Sequence, residues 1–398
     1  MTFPQYVSHI AEALENRDGF TVAELTSFKH PHSKSHNFMR VPLRELEGYC
    51  SEELESPFDE VVAAHVRAIQ AVGDNNYNEA FVCQCALVQS FLKGFQTQKD
   101  ENWGLPILMS LSLDLRWLAT QAEKHCDRSK EGEMLEKAAD LLMSCFRVCV
   151  TDTRASINNT KRWGTMHIVN QLFKIYFRIK ALHLCKPLIR AIESSSMLDQ
   201  FKVSEMVTFR YFTGRKAMFD GDFKQAAAHL TFAFDKCHRH SRRNKHLILI
   251  FLIPVKMLLG IVPSPILLRK YHLECYASIA GALCSGNLRE LDMGIKQHER
   301  FFAKYGIYLI LEKLKVIAYR NLFKKVFLLL GTHQLPLQAF SDSLNYVDGS
   351  EEISVEEVQC IIANLIDKGY VKGYISHSHQ KLVVSKKDPF PLCNTVLQ

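Results

Sequence analysis

Through most of this chain apolar side chains recur at intervals of three and four residues, in successive runs broken by short polar stretches. That periodicity constrains the fold more than any single motif. Val61, Val62, His65, Val66 and Ile69 share one helical face, 73–76 breaks the chain, and 77–95 places Ala80, Phe81, Cys85, Val88, Phe91 and Leu92 at helical spacing. Further helices are predicted over 105–122, 132–150, 163–179 and 182–194. Residues 130–133 separate two of them, and Lys186-Pro187 is compatible with a bend or a helix start. A lone amphipathic helix cannot bury its stripe, so these pairs must stack on neighbours.

The clearest repeat unit is 207–237. Tyr211, Gly214, Ala217 and Met218 line a first helix, Asp220-Gly221-Asp222 turns the chain, and Phe223, Ala226, Ala227, Leu230, Ala233 and Phe234 line a second. The small residues let two backbones approach, as in tetratricopeptide-type pairs, although the full consensus is absent. Another pair is expected at 272–283 and 288–305, joined by Ser285-Gly286-Asn287. Between them lies a basic run with Lys236, Arg239, Arg242, Arg243 and Lys245, either a solvated helix junction or a partner-binding patch. The apolar stretch 247–260, interrupted by Pro254 and Lys256, is too short to cross a bilayer and is expected as a buried helix or helix pair. At the start, 3–14 fits a short amphipathic helix without the look of a signal peptide, and 29–37 is expected as a loop.

After residue 307 the pattern changes. A long helix is expected over 309–330, with Leu311, Leu314, Ile317, Leu322, Val326 and Leu329 in its core face, followed by a short element at 335–344. Ser354 with Glu357 three residues on forms a capping box for a helix at 355–368, which buries Val358, Ile361, Ile362, Leu365 and Ile366. Strands at 370–376 and 381–385 then close a hairpin. Three helices followed by a hairpin is the order of a winged helix. The fold class is therefore predominantly α: a TPR-like helical-repeat superhelix followed by a C-terminal winged-helix subdomain. The expected boundaries are 1–57 for an N-terminal helix and loop segment, 58–306 for the repeats, 307–387 for the winged helix and 388–398 for a tail.

Catalytic chemistry lacks its usual marks. There is no GxxxxGK[ST] loop, strand-linked GxGxxG or GxSxG elbow, so neither an enzyme nor a cofactor is expected. Twelve cysteines scattered over helical segments suit a reducing compartment. The spacings Cys83/Cys85 and Cys145/Cys149 do not resemble zinc knuckles, and the HxH pairs His30/His32, His238/His240 and His377/His379 lack an obvious third ligand; no metal is expected.

A formal net charge of +7 permits contact with nucleic acid without demanding it. The last module gathers Lys313, Lys315, Arg320, Lys324 and Lys325 on its first helix, Lys368 and Lys372 at the entry to the wing, and Lys381, Lys386 and Lys387 along and after the hairpin. Such a set would attract phosphates in a sequence-independent, salt-sensitive way. The third helix opens near Glu351, Glu352, Glu356 and Glu357, too acidic for base reading in a major groove.

Several long runs carry a wider resemblance: FKHPH from Phe28, ENWGLP from Glu101, LLMSCFRVC from Leu141, NQLFKIYF from Asn170, GRKAMFDGDFKQA from Gly214, EKLKVIAYRNLFKKV from Glu312 and VKGYISHSHQKLVVSK from Val371. Across nearly its whole length the chain resembles the PCI family, and within it the PCI subunit of transcription-export complex 2, which couples transcription to nuclear export of messenger RNA. The resemblance implies helical repeats running into a winged helix. It also implies a large helical scaffold subunit and a small, acidic, disordered DSS-type subunit as partners, and a joint winged-helix surface that binds nucleic acid, with RNA and double-stranded DNA both open as ligands. It further implies a nuclear location, including the nuclear envelope or pore, alongside a cytoplasmic one. Lys313, Lys315, Arg320, Lys324 and Lys325 match the family's basic first winged-helix segment and Lys372 and Lys381 its wing; with Lys386 and Lys387, added from the charge pattern, they are the expected nucleic-acid contacts. Arg239, Arg242, Arg243 and Lys245, which match no family binding motif, are the expected platform for the acidic subunit, because the segment joins apolar grooves to positive charge. A protein-only scaffold resembling proteasome-lid components is the alternative.

Overall fold

The structure is a computed structural model that describes residues 2–39, 41–98, 101–125, 132–152, 156–348 and 353–396. It divides into two compact units, Met1–Phe209 and Arg210–Gln398.

The first unit is a succession of helices. Phe3–Glu15 opens with a capping box between Thr2 and Gln5, and Gly19–Leu25 starts on Asp18, whose carboxylate accepts from the Phe20 and Thr21 amides. Where a loop was expected at 29–37, a 3-10 turn at Pro31–Lys34 is followed by the short helix His36–Met39. Pro31 presets the first turn, and the His30 ring accepts from the His32 amide. Helix Leu43–Glu53 leads into the predicted pairs, Phe58–Gly73 with Tyr77–Thr97 and Leu105–His125 with Glu133–Val150. Val61, Val62, His65, Val66 and Ile69 are all buried, as their spacing requires. The expected break at 130–133 falls partly on residues 130 and 131, outside the described residues. Gly164–Tyr176 and Cys185–Glu193 complete the series, with Pro187 in the first turn of the latter, so the helix-start reading of Lys186-Pro187 holds.

The second unit opens within helix Val203–Asp220, which pairs with Phe223–Lys236 through the predicted turn. The close approach rests on Gly214, where an added Cβ would stand 2.7 Å from Leu230 Cγ. The stretch around Pro254 is one helix, Arg242–Leu258, almost wholly buried in its second half. Among the described residues no helix is long and apolar enough to cross a membrane. Ala277–Ser285 and Leu288–Gln297 follow, and the run expected to continue to 305 breaks at His298 before Glu299–Tyr305. Gly286, at φ 69°, turns this hairpin so closely that an added Cβ would stand 2.7 Å from the Leu322 amide nitrogen.

That contact seats the winged helix. Its first helix divides into Tyr308–Glu312 and Lys315–Leu330, the latter ending on left-handed Gly331. A short strand β1 (Gln334–Pro336) precedes helix Leu337–Asp348 and then Val355–Asp367. Ser354 and Glu357 exchange both capping-box hydrogen bonds. Strands β2 (Gly373–Ser376) and β3 (Lys381–Val384) form the expected hairpin, but the sheet has three strands in the order β1-β3-β2, all antiparallel. Leu335 of β1 faces Leu382 of β3, and both are buried. Leu329 departs from expectation: it is 86% exposed, with Leu328 and Leu330 also exposed, because the core face of this helix ends at Val326.

The fold class is thus predominantly helical, with helical repeats ending in a winged helix.

Candidate functional site

The expected basic residues of the winged helix do not form one surface. Arg320 is 6% exposed and turned inward, where its Nη2 donates to the carbonyls of Phe390 and Pro391 at 2.8 and 2.7 Å and its Nη1 to Asn321 Oδ1. It clasps the segment after the wing and is not offered to a solvent partner, which corrects its assignment as a phosphate contact. Lys315 is spoken for as well, lying 3.0 Å from Asp292 and 3.1 Å from Glu312. Partial burial works against its charge, but the two carboxylates outweigh it and raise its pKa. Lys325 donates to the Ser285 carbonyl at 2.7 Å, and Lys313 lies 5.4 Å from the Phe223 ring centre. These last three lysines each touch the helices of their own unit, Lys313 and Lys325 while still exposed.

Around the wing the arrangement is different. The Lys372 amide donates to the Pro389 carbonyl and the Ser385 amide to the Lys372 carbonyl, so 385–390 folds back along the wing base before reaching Arg320. Lys386 and Lys387 are exposed in that turn, and Lys387 is fixed through its amide and carbonyl by the Ser385 hydroxyl. Lys372 is exposed and shared with Asp388 at 3.4 Å. Lys381 opens β3 half-exposed, and Lys324 lines a small cleft of about 170 Å³ with Leu392 and Cys393. Among the described residues, Lys381, Lys386 and Lys387 have no carboxylate partner. The wing is also tied to the third helix: Gln359 bonds both His377 and Gln380, which occupies His377 Nδ1. Glu356 and Glu357 are exposed in the first turn of that helix, whereas Glu351 and Glu352 lie outside the described residues.

The second expected surface splits in a similar way. Arg242 and Arg243 are exposed in the first turn of Arg242–Leu258, at the positive end of the helix dipole, where cations are disfavoured unless an anion joins them. Arg239 is exposed and donates to His240 Nε2. Lys245 instead caps the preceding helix, with its Nζ on the Phe234 carbonyl at 2.8 Å and 4.4 Å from that residue's ring centre.

The cysteine pairs are chemically quiet. Burial pushes the Cys83 thiol up to about 11 and those of Cys85 and Cys145 up to about 12, and it raises Cys149 further in the same direction. His30 and His32 are not a loop pair. They share a hydrogen bond between their Nδ1 atoms at 2.7 Å, and His32 Nε2 meets buried His65 Nε2 at 3.0 Å, forming a row inside the first unit. Among the described residues no cluster of His, Cys, Asp or Glu has the geometry to hold a metal ion.

The exposed apolar side chains of the winged helix were missed from sequence. Besides Leu328 to Leu330, Tyr346 on the second helix and Tyr374 on β2 are largely open to solvent. The signal for the leucines was three consecutive apolar residues before a helix-ending glycine, since one helical face cannot bury all three.

The PCI domain model matches residues 295–386, which include the whole winged helix. Over 399 aligned residues the chain is 54% identical to PCI domain-containing protein 2 of Danio rerio and 53% identical to that of Xenopus laevis, covering 100% of this chain and 99% of each relative. The chain belongs to the PCI domain-containing protein 2 family. The homolog from Drosophila melanogaster is 46% identical over 98% of both chains. As a PCI-family scaffold subunit, the chain is of a kind that works within multi-subunit complexes.

Proposed function

We propose that this protein is the PCI subunit of a nuclear messenger-RNA export assembly, a non-enzymatic scaffold whose winged helix contacts nucleic acid when a partner completes the surface. The observation that carries the reading is the wing itself, where Lys381 at the start of β3, and Lys386 and Lys387 on the turn that leads to the segment clasped by Arg320, stand without carboxylate partners among the described residues. Two cations on a fixed turn and a third at the start of β3 suit a phosphate backbone, and the acidic start of the third helix opposes base reading, so binding is governed by charge rather than sequence. RNA is the first ligand, and double-stranded DNA would be held by the same charges.

Leu328, Leu329, Leu330 and Tyr346 support the partner's part in this reading. Each large apolar side chain moved from water into an interface contributes about 1.5–3 kcal/mol. A large helical subunit is the expected cover. The exposed arginines at the start of Arg242–Leu258 suit the small acidic subunit, whose carboxylates would satisfy both the arginines and the helix dipole. Work at the nucleus and nuclear pore, with a cytoplasmic share, follows from that assignment.

Reversing Lys381, Lys386 and Lys387 to Glu and titrating the assembled complex with RNA at two salt concentrations tests the proposal. The reading expects weaker binding and a shallower salt dependence. Unchanged binding, with the complex intact, would refute a nucleic-acid contact at the wing.

A further inference from the structure

Two cations of the first unit converge on one neutral oxygen. Arg116 Nε donates to Gln171 Oε1 at 2.9 Å, and Lys174 Nζ reaches the same atom at 3.5 Å. Arg116 comes from Leu105–His125, while Gln171 and Lys174 come from Gly164–Tyr176, and these two helices pack together. Arg178 follows one turn after Lys174, exposed just past the helix end, and Lys29 is exposed beside them on the segment after Gly19–Leu25.

These cations repel one another. Burial, with the charges of Arg116 and Lys29, pushes the Lys174 ammonium down to about 8; burial and Arg178 also lower the Arg116 pKa. Of the nearby carboxylates, Asp114 accepts from the Phe28 amide at 3.0 Å and feels the charge of Lys29 alone among these cations, while Glu205 lies 3.4 Å from His167 Nδ1. Among the described residues, Arg116, Lys174 and Arg178 have no carboxylate ion-pair partner. Half-buried cations held together with only an amide oxygen to share destabilise a fold, and an anion entering between them would relieve that cost.

Trp117, next in sequence to Arg116, is 36% exposed and rests on Phe28 with ring centres 5.7 Å apart. We infer that Arg116, Lys174, Arg178 and Lys29 form a second nucleic-acid site, which holds the phosphates of single-stranded RNA while Trp117 offers its open indole surface to a neighbouring base. The indole favours RNA over an acidic peptide, because a base stacks on it whatever the sequence. The site belongs to the first unit and does not depend on the wing.

A fluorescein-labelled oligouridine of about fifteen nucleotides, a length matched to single-strand site sizes, is titrated into the full chain at low and moderate salt. Each phosphate contact on a single strand contributes about 0.7 to the slope of log affinity against log salt, so Arg116→Gln with Lys174→Gln lowers the slope by about 1.4. Arg178→Gln, on an exposed side chain, lowers it by about 0.7. Trp117→Ala weakens binding about fivefold or more with the slope kept. The double variant melts no lower than the parent, because it removes like-charge repulsion. These losses persist when Lys381, Lys386 and Lys387 are already reversed, which separates this site from the wing. Slopes unchanged in both the double variant and Arg178→Gln overturn the proposal. So does a polyglutamate peptide that binds the parent but not the double variant while RNA binding stays intact.

Discussion

Replacing Arg320 by Met separates two roles that one arginine on this helix could have. In the structure its guanidinium holds the carbonyls of Phe390 and Pro391 and the side-chain oxygen of Asn321, so the substitution removes three hydrogen bonds from a charged donor and leaves the two buried carbonyls without that partner. Such bonds contribute about 1.5–3 kcal/mol each. Against that stands the cost of a buried cation whose Nε has no partner, so a net destabilisation of about 2–4 kcal/mol is expected. For a unit of this size each kcal/mol lowers the melting temperature by about 2–4 °C, and a drop of about 4–16 °C should appear in a thermal melt. Released from its clasp, the segment from Ser385 onward should also become a site of early proteolysis, and RNA affinity should fall because Lys386 and Lys387 lose their fixed positions. The slope of log affinity against log salt should barely change. If Arg320 contacted phosphate, the slope would fall by about 0.7–0.9 while stability held or rose. An unaltered melt together with a shallower salt slope would refute the clasp.

Other outcomes follow from the packing and the buried histidines. Gly286→Ala forces a side chain at positive φ against the Leu322 backbone and should cost about 2–4 kcal/mol, seen as a lower urea midpoint. Gly214→Leu should cost about 1–3 kcal/mol by overpacking the seam with Leu230, measured in the same way. His32 has its folded pKa pushed down to about 4 by burial and by the charge of His30, and His65 is lowered in the same direction, so the unfolded chain takes up protons first as pH falls below about 6.5. Stability present above that pH should drain away toward pH 4, by about 3 kcal/mol for His32, and His32→Phe should flatten the pH dependence of the urea midpoint. Leu329→Asp should leave the isolated chain as stable as before, since the side chain is already in water, and should weaken co-purification with the proposed large helical subunit.

Periodicity made the repeats legible because a buried helical face leaves a regular imprint, as the Val61 to Ile69 face and the Gly214–Leu230 seam illustrate. The capping box at Ser354 and Glu357 was equally plain, being a local exchange of two hydrogen bonds. Strand β1 was hidden because three residues carry no readable alternation, and its partner β3 lies over forty residues away in sequence. Leu329 was misplaced because spacing alone does not say where a neighbouring element stops covering a helix. The basic site was the least legible part. Lysine and arginine look alike in sequence whether they reach solvent, as Lys386 and Lys387 do, pair with carboxylates, as Lys315 does, or clasp a backbone, as Arg320 does. Likewise, nothing in the spacing of His30 and His32 pointed to His65, which completes their row from another helix.

The most direct test is RNA affinity measured for the chain alone and for the same chain assembled with the proposed large helical and small acidic partners, at one fixed salt concentration. The account predicts that the assembly binds at least about tenfold more tightly, a gain of 1.4 kcal/mol or more, and that reversing Lys381, Lys386 and Lys387 abolishes the gain. Equal affinity for the free chain and the assembly, or a gain that survives the reversals, would contradict a winged-helix surface completed by a partner.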